Sequence, residues 1–283
     1  SGYTLKYEPI NSTTGAATGA ATTISGAAAG RVIGGLTAGQ TYRIYAYGGT
    51  FKQISFSTYP ANKDDIIAVE QWGTTQWSTM LLAFESCSKI DVTATDKPNL
   101  SACLYISGMF KECSNLVNAN SSITNWNTQN VKDMSELFYR ATSFNKPLNW
   151  NVINVTSMAY MFYGATSFNS TLTFSNMSKV SNMSYMFYGA TSFNQPLNWQ
   201  MNSVDDMSYM FYGATSFNQP LSWNIQKATN IEGMFMNATS FNSTLTLFNT
   251  TKLKNVSKMF SGATSFNQPL IINMMDVTNM REM

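Results

Sequence analysis

The chain contains no histidine, only 11% of its 283 residues are charged, and its net charge is +2. Without histidine it lacks the commonest general base and the commonest metal ligand. A nearly neutral surface also gives no strong field for capturing nucleic acid. We therefore expect no catalytic residue, no metal site, no cofactor and no nucleic-acid partner.

Long apolar runs and regular acidic loops are also absent. A membrane-spanning helix needs roughly 20 apolar residues, and no run reaches that length, so we expect no direct membrane insertion. Calcium loops place ligands at alternate positions around a glycine turn. The acidic residues near the start of the repeats do not follow that spacing: Asp64, Asp65, Asp91 and Asp96.

Residues 1–60 differ in composition from the rest of the chain. Glycine-, alanine- and threonine-rich stretches separate short alternating segments at 3–7, 31–33, 41–47 and 51–56. Apolar and polar residues that alternate at period two predict half-buried strands. The sequence therefore predicts a small N-terminal β-domain.

The phrase Gly35-Leu-Thr-Ala-Gly-Gln-Thr-Tyr42 in this domain resembles the fibronectin type III family. Leu36 and Tyr42 match the positions that form the tyrosine corner of that β-sandwich. The resemblance implies a sandwich of which only the later strands are present, so we expect that residue 1 is not the natural start. An unrelated small β-domain is the alternative.

Residues 61–80 connect this domain to a repeated region. The first unit of a repeat array must cover an otherwise open core, so its sequence is expected to be atypical. Trp72 and Trp77 are large enough to provide that cover. We therefore interpret residues 61–80 as a junction and N-terminal cap.

Residues 81–283 repeat one pattern, which can be aligned on a single phenylalanine. From Phe138 onward this residue recurs every 24 or 25 positions. The flanking positions also keep one size class each, which predicts stacked coils that bury each other's apolar faces. The anchors are Phe84, Phe110, Phe138, Phe162, Phe187, Phe211, Phe235 and Phe260. The last unit begins at Val277 and stops within the repeat, so we expect the chain to be part of a longer protein.

Two periods alternate within each unit. Apolar residues near the anchor, such as Met207, Met210 and Ala214, recur at steps of three or four, which predicts a short α- or 3₁₀-helical segment. Leu221 and Trp223 are two positions apart, which predicts a short strand with both side chains inward. The fold is thus predicted to be mainly β with short helical segments.

Phrases such as Met186-Phe-Tyr-Gly-Ala-Thr-Ser-Phe-Asn-Gln-Pro-Leu197 resemble the BspA-type leucine-rich repeat, in the variant of mycoplasma surface lipoproteins. The resemblance covers about residues 65–283. It implies a right-handed, leucine-rich-repeat-like solenoid in a secreted or surface-anchored protein, and an adhesive or binding function without enzyme chemistry.

Two cysteines share one repeat position in adjacent coils. Cys87 and Cys113 both occupy the column that holds alanine in later units. Stacked positions can lie within the distance that a disulfide needs, but buried thiols that act as small apolar residues are the favoured interpretation. Cys103 replaces a valine of the core pattern and is also expected to be buried.

An asparagine follows the second phenylalanine of each unit. We favour a structural asparagine ladder, in which each side chain bonds backbone groups of the bend and the next coil, over a ligand-facing stripe. Its members are Asn145, Asn169, Asn194, Asn218, Asn242 and Asn267.

A binding surface, if there is one, is expected on the outward positions of the strands. We call these positions the strand-face row; they are polar and almost uncharged, which suits weak multivalent contacts. The row consists of Asn149, Thr173, Asn198, Ser222 and Thr246, with Asn151, Gln200 and Asn224 beside it. The alternative is a row that is merely solvated.

These features lead to two functional hypotheses. The first is a non-enzymatic extracellular or cell-surface adhesion module that binds a protein or glycan of a cell or matrix surface. The second is a structural subunit that associates with itself in a surface filament, sheath or virion fibre, because open-ended solenoids can stack. An enzyme is the least favoured class.

Overall fold

The computed structural model describes residues 2–28, 33, 35–48, 52–56 and 60–283. These residues are mainly β, with small sheets and almost no helix. The chain divides into two compact units, Ser1–Lys52 and Gln53–Met283. The division falls at Lys52, whereas composition had suggested residue 60.

The first unit contains a three-stranded antiparallel sheet. Its strands are β1 (Tyr3–Ile10), β2 (Thr22–Ala27) and β3 (Thr41–Tyr47), in the order β2-β1-β3. Strands were predicted at 3–7 and 41–47, but β2 was missed because it is mostly exposed and buries only Ala27. The strand predicted at 31–33 lies outside the described residues except Ile33, and residues 52–56 of the last predicted strand are not in a strand.

Tyr42 is tied to the backbone upstream of β3. Its hydroxyl oxygen accepts a hydrogen bond from the N–H of Thr37 at 3.1 Å. Leu36, in contrast, is 42% exposed. The tyrosine of the predicted corner therefore has a backbone partner, while the leucine is not part of a core.

The second unit consists of coils that pair in parallel. It begins with a 3₁₀-helix (Pro60–Asp65), and β4 (Ala68–Val69) pairs with β5 (Asp91–Val92). A second 3₁₀-helix spans Ser122–Asn125. Two further parallel pairs follow: β6 (Leu148–Asn151) with β7 (Leu172–Ser175), and β8 (Leu221–Asn224) with β9 (Leu245–Phe248). Because Leu148 pairs with Leu172 and Leu221 with Leu245, each repeat contributes one coil.

The predicted helical segments around the anchor phenylalanines are wrong. In their place is a structure that we call the turn ladder. Its backbone N–H groups alternate: one closes a tight turn within its own coil, and the next donates to a carbonyl oxygen of the following coil. The N–H groups of Tyr160, Phe162 and Gly164 donate to the carbonyl oxygens of Ser184, Met186 and Tyr188 at 2.9, 2.9 and 2.7 Å. Those of Met161, Tyr163 and Ala165 donate to carbonyl oxygens three residues back, at 3.1–3.2 Å.

Left-handed residues explain why this segment cannot be a helix. Tyr160 has φ 59° and Gly164 has φ 64°, and equivalent positions in the other coils also have positive φ. Left-handed residues interrupt a right-handed helix. In these tight turns an N–H group bonds the carbonyl oxygen three residues back, so buried positions still recur every three residues. Their apolar pattern therefore resembles that of a helix.

The apolar columns form the core. Ring centroids of successive anchor phenylalanines lie 5.4–6.0 Å apart from Phe110 to Phe260. The second phenylalanine of a coil also stacks on its own anchor, as Phe193 does on Phe187 at 4.0 Å. Offset aromatic pairs add about 0.5–1.5 kcal/mol each beyond the area they bury. The repeated residues are therefore mainly structural.

Tryptophans and one additional phenylalanine lie against the first coil. Trp72 and Trp77 are each 5% exposed, and the Trp72 ring lies 6.2 Å from that of Phe84. Phe56 stacks on Phe84 at 5.9 Å, and its N–H donates to the carbonyl oxygen of Ala83 at 3.1 Å. Phe56 thus extends the phenylalanine column by one ring, although the sequence suggested a place in the N-terminal domain.

Candidate functional site

The asparagine ladder consists of consecutive side chain to backbone hydrogen bonds. The Oδ1 atoms of Asn145, Asn169, Asn194, Asn218 and Asn242 accept from the backbone N–H of the next asparagine at 2.8–2.9 Å. Asn267 receives the last of these bonds. The Oδ1 of Asn194 also accepts from the Nε2 of Gln219 at 3.1 Å. The oxygens of these amides are occupied within the fold and are poor candidates for ligand contacts.

Replacing Asn194 with alanine should lower the free energy of unfolding by about 1–2 kcal/mol, because two donors lose their acceptor. Asn194→Asp keeps an acceptor oxygen and should lose less. Asn198→Ala is the matched control: Asn198 is exposed and its side chain has no hydrogen bond within the described chain, so a change within about 0.5 kcal/mol is expected. Chemical denaturation of the three variants measures this, and equal losses for Asn194→Ala and Asn198→Ala would contradict the ladder.

A second ladder was missed in the sequence. Isolated parallel bridges join equivalent residues of successive coils five positions before the anchor: Tyr105, Asp133, Ser157, Asn182, Asp206, Asn230, Asn255 and Asn279. From Asp133 onward, their side-chain oxygens accept from the N–H two residues on, as Asp206 does from Ser208 at 2.8 Å. The recurrence of Asn, Asp or Ser in this column was the available signal.

The strand-face row is exposed but not continuous as a sheet. Asn149 pairs with Thr173 and Ser222 with Thr246 in the two strand pairs. Asn198 and Gln200 are exposed but lie in a coil with no strand, which corrects the strand predicted at Leu197 and Trp199. The side chains of Leu197 and Trp199 are buried nevertheless, so Asn198 between them still faces outward.

Members of the row differ in their hydrogen bonds. Asn149 donates to the Oδ1 of Asn125 at 3.4 Å, and the Oδ1 atoms of Asn151 and Asn224 accept from asparagines of the next coil at 3.2 and 3.0 Å. Among the described residues, no side-chain hydrogen bond is formed by the remaining members: Thr173, Asn198, Gln200, Ser222 and Thr246. The second group can bond to a ligand without losing a partner in the fold.

Two columns of stacked tyrosines lie on the turn ladder, and the sequence analysis did not identify them. We call them the tyrosine surface. One column has centroid spacings of 4.2–4.6 Å and consists of Tyr139, Tyr163, Tyr188 and Tyr212. The other has spacings of 4.6 and 5.0 Å and consists of Tyr160, Tyr185 and Tyr209. All seven are half-buried, so part of each residue is exposed to solvent.

Burial and nearby groups disfavour ionisation of two of these phenols, Tyr188 and Tyr209. Burial, together with hydrogen bonds to the hydroxyls of Tyr212 and Tyr163, raises the pKa of Tyr188 to about 12. Burial and then the hydrogen bond to Glu232 raise the pKa of Tyr209, whose hydroxyl donates to that carboxylate at 2.6 Å. Both phenols are therefore neutral at physiological pH.

The cysteines and acidic residues noted in the sequence have structural contacts. Cys87, Cys103 and Cys113 are free and buried, and burial raises the pKa of the Cys87 thiol to about 11. The carboxylate of Asp96 accepts from the N–H groups of Trp72 and Gly73 at 2.7–3.1 Å. Asp91 accepts from three backbone N–H groups at 2.6–3.0 Å, and Asp64 accepts from Ser88. No group of three or more metal-binding side chains occurs in the part of the chain that the structure describes.

An open depression of about 250 Å³ lies in the first unit, next to β1 and β3. Its lining is Ile10, Asn11, Ser12, Thr18, Gly39, Gln40 and Thr41, which includes no acid or base. Within the described ranges, no helix has the length and apolar character that crossing a membrane requires.

Comparison with known proteins identifies one family. The family model described as "Mycoplasma protein of unknown function, DUF285" matches residues 78–198, 105–222 and 196–283. No curated protein and no solved structure gives a significant match. The three matches overlap along the stacked coils and together cover more than half of the chain. The chain is therefore a repeat protein that belongs to the DUF285 family of Mycoplasma proteins of unknown function.

Proposed function

We propose that this protein is a non-enzymatic extracellular or cell-surface binding module that acts in adhesion through its strand-face row. The main support is the contrast between two sets of polar side chains. The side-chain oxygens of the asparagine ladder accept hydrogen bonds within the fold, whereas the side chains of Thr173, Asn198, Ser222 and Thr246 are exposed without any hydrogen-bond partner among the described residues. A row of unoccupied polar groups is available to a ligand.

The proposed ligand is a protein or glycan on a cell or matrix surface. The row repeats at the rise of the stacked coils, ~4.8 Å for parallel strands. Each hydroxyl or amide makes only a weak contact, but several equally spaced contacts on one ligand raise the total affinity. Because the row carries no charge, hydrogen bonding rather than charge would select the ligand.

The proposed architecture is a right-handed, BspA-type leucine-rich-repeat-like solenoid that follows a fibronectin type III-like spacer. Parallel pairing of residues one repeat apart supports the solenoid. The antiparallel sheet and the hydrogen bond between Thr37 and Tyr42 support the spacer.

Replacing both Asn198 and Ser222 with alanine should reduce binding at least tenfold, because two neighbouring contacts of one ligand are lost. The assay is a glycan and matrix-protein array probed with the purified 283-residue chain, followed by titration of the ligand that it identifies. Gln226→Ala combined with Lys227→Ala is a control pair of exposed residues outside the row, and it should leave binding unchanged.

Unaltered binding by the Asn198→Ala/Ser222→Ala variant would show that the strand-face row is the wrong surface. Absence of any ligand, together with ordered polymers in size-exclusion chromatography and electron microscopy, would favour the filament, sheath or fibre subunit instead.

A further inference from the structure

The tyrosine surface is more open than the turn ladder requires. The position two residues after the anchor has positive φ in every coil and holds glycine beside three of its tyrosines, at Gly164, Gly189 and Gly213. In other coils the same position holds Glu112, Arg140 and Asn237, with φ of 52–61°. Side chains are thus compatible with this backbone, and glycine leaves the adjacent rings uncovered.

One hydroxyl of this surface is committed as a donor. A phenol has one proton to donate and two lone pairs. The Tyr209 hydroxyl donates its proton to Glu232 at 2.6 Å. Toward a ligand this hydroxyl can therefore act only as an acceptor.

Two carboxylates add negative charge at the edge of the surface. Glu232 accepts from the Tyr209 hydroxyl at 2.6 Å and from the Nδ2 of Asn255 at 2.9 Å. Asp206 precedes Tyr209 by three residues and accepts from the N–H of Ser208 at 2.8 Å. All these donors are neutral, so neither negative charge is compensated by them. Burial, then Tyr160, Glu232 and Asp206, raise the pKa of the Tyr185 phenol, as expected when both carboxylates lie near that ring. Over the described ranges, neither carboxylate forms an ion pair with a lysine or arginine.

The other end of the surface already accommodates cations. Lys111 and Arg140 lie 5.1 and 5.4 Å from the centroid of the Tyr139 ring. These cations are also paired with glutamates, Lys111 with Glu136 at 2.5 Å and Arg140 with Glu112 at 3.8 Å. At this end of the surface, each cation therefore contacts both a tyrosine ring and a carboxylate. Around Tyr185 and Tyr209 the carboxylates and tyrosines have no such cation.

We propose that the tyrosine surface binds an arginine- or lysine-bearing segment of a partner protein, with its cationic groups beside Asp206 and Glu232. A guanidinium has five N–H donors and no acceptor, which complements free lone pairs and carboxylates. The aliphatic stems of the same side chains pack against the ring edges. Tyrosine also supplies a large contact area at low entropic cost, as in many protein interfaces.

This site lies on the turn ladder and not in the strand-face row, so it extends the proposed function and does not depend on the ligand of the row. The test uses fluorescein-labelled hexa-arginine as the probe and hexa-citrulline as a neutral peptide of nearly the same shape. Fluorescence anisotropy with the 283-residue chain should show hexa-arginine binding at least tenfold tighter than hexa-citrulline at 50 mM NaCl. The difference should shrink at 500 mM NaCl, because salt screens charge.

Two double variants, both designed to keep the fold, test the carboxylates and the tyrosine rings separately. Asp206→Asn combined with Glu232→Gln removes both charges and keeps one acceptor oxygen in each side chain; Asn182, Asn230 and Asn255 occupy the Asp206 column naturally. Tyr163→Met combined with Tyr188→Met replaces two rings with the residue found in that column at Met236. Each double variant should weaken hexa-arginine binding at least fivefold. Circular dichroism and thermal unfolding would verify that both variants remain folded.

Asp65→Asn combined with Asp276→Asn is the matched control, since it removes two exposed carboxylates outside the tyrosine surface. It should change affinity less than twofold. Equal binding of hexa-arginine and hexa-citrulline, equal losses in the control and in Asp206→Asn/Glu232→Gln, or full affinity without Tyr163 and Tyr188 would each overturn the proposal. The strand-face row is tested independently, because binding of the array ligand by the Asn198→Ala/Ser222→Ala variant concerns that row and not the tyrosine surface.

Discussion

Replacing Phe187 with alanine should lower the free energy of unfolding of the second unit by about 3–5 kcal/mol, the usual cost of truncating a buried phenylalanine. The ring is fully buried and stacks on Phe162 and Phe211 at 5.6 Å and on Phe193 at 4.0 Å. The truncation leaves a cavity in the centre of the column and removes contacts with coils on both sides. Neighbour contacts stabilise stacked coils, so the loss extends beyond one repeat.

Denaturation by urea, followed by tryptophan fluorescence, measures this loss. Phe248→Ala provides a matched control, because Phe248 is 46% exposed at the end of β9. Its truncation should cost far less than that of Phe187, within about 0.5–1 kcal/mol. Similar losses for the two variants would mean that the phenylalanine column is not the core.

Replacing Ala190 with aspartate should cost about 4 kcal/mol or more, because an unpaired charge enters a buried site. Ala190 is fully buried, three residues after Phe187. Its column holds only small side chains, which are alanine in six coils and Cys87 or Cys113 in the first two. A carboxylate buried there loses its hydration, so the variant either unfolds or keeps the acid protonated.

Two controls define the cause of that loss. Ala190→Cys reproduces the natural residue of the first two coils and should change stability by less than about 1.5 kcal/mol. Thr191→Asp places the same charge on the adjacent exposed position, where an effect within about 0.5 kcal/mol is expected. Thermal unfolding of the three variants distinguishes the effect of burying a charge from the effect of added side-chain volume. A stable Ala190→Asp variant would show that this column is not buried.

The repeat columns were predictable because burial depends on residue size at fixed positions. Phe187, Ala190 and Phe193 fall in columns of one size class, and all three are fully buried. The asparagine column was predictable for a related reason: a bend leaves backbone N–H groups that need acceptors, and Asn194 supplies one to Asn218 at 2.9 Å. Column alignment therefore identifies what holds the coils together.

Backbone conformation could not be read from the same columns. The period of three around Tyr160 and Gly164 predicted a helix, but positive φ at both residues produces alternating turns. Non-glycine residues rarely adopt such angles, and inter-coil hydrogen bonds stabilise them here. A single repeat gives no indication of those bonds, because the acceptors belong to the next coil.

The tyrosine surface was missed because its residues were treated as positions next to the core. Tyr188 directly follows Phe187 and also recurs in its own column, but only three-dimensional stacking shows that the rings are half-exposed and form a surface. The strand-face row has the opposite problem. Its outward positions were predicted from period two, but the missing strand at 197–200 depends on pairing that the period does not encode.

The residues that maintain the coils are distinct from the residues that we propose bind a ligand. The most direct test of this distinction compares two double variants, Asn194→Ala/Asn218→Ala in the asparagine ladder and Asn198→Ala/Ser222→Ala in the strand-face row. For each, the free energy of unfolding and the affinity for the ligand identified on the array are measured on the same preparation. We predict that the ladder variant loses about 2–4 kcal/mol of stability and keeps its affinity while folded. The row variant should keep its stability and lose affinity at least tenfold, and the reverse assignment of these losses would contradict the account.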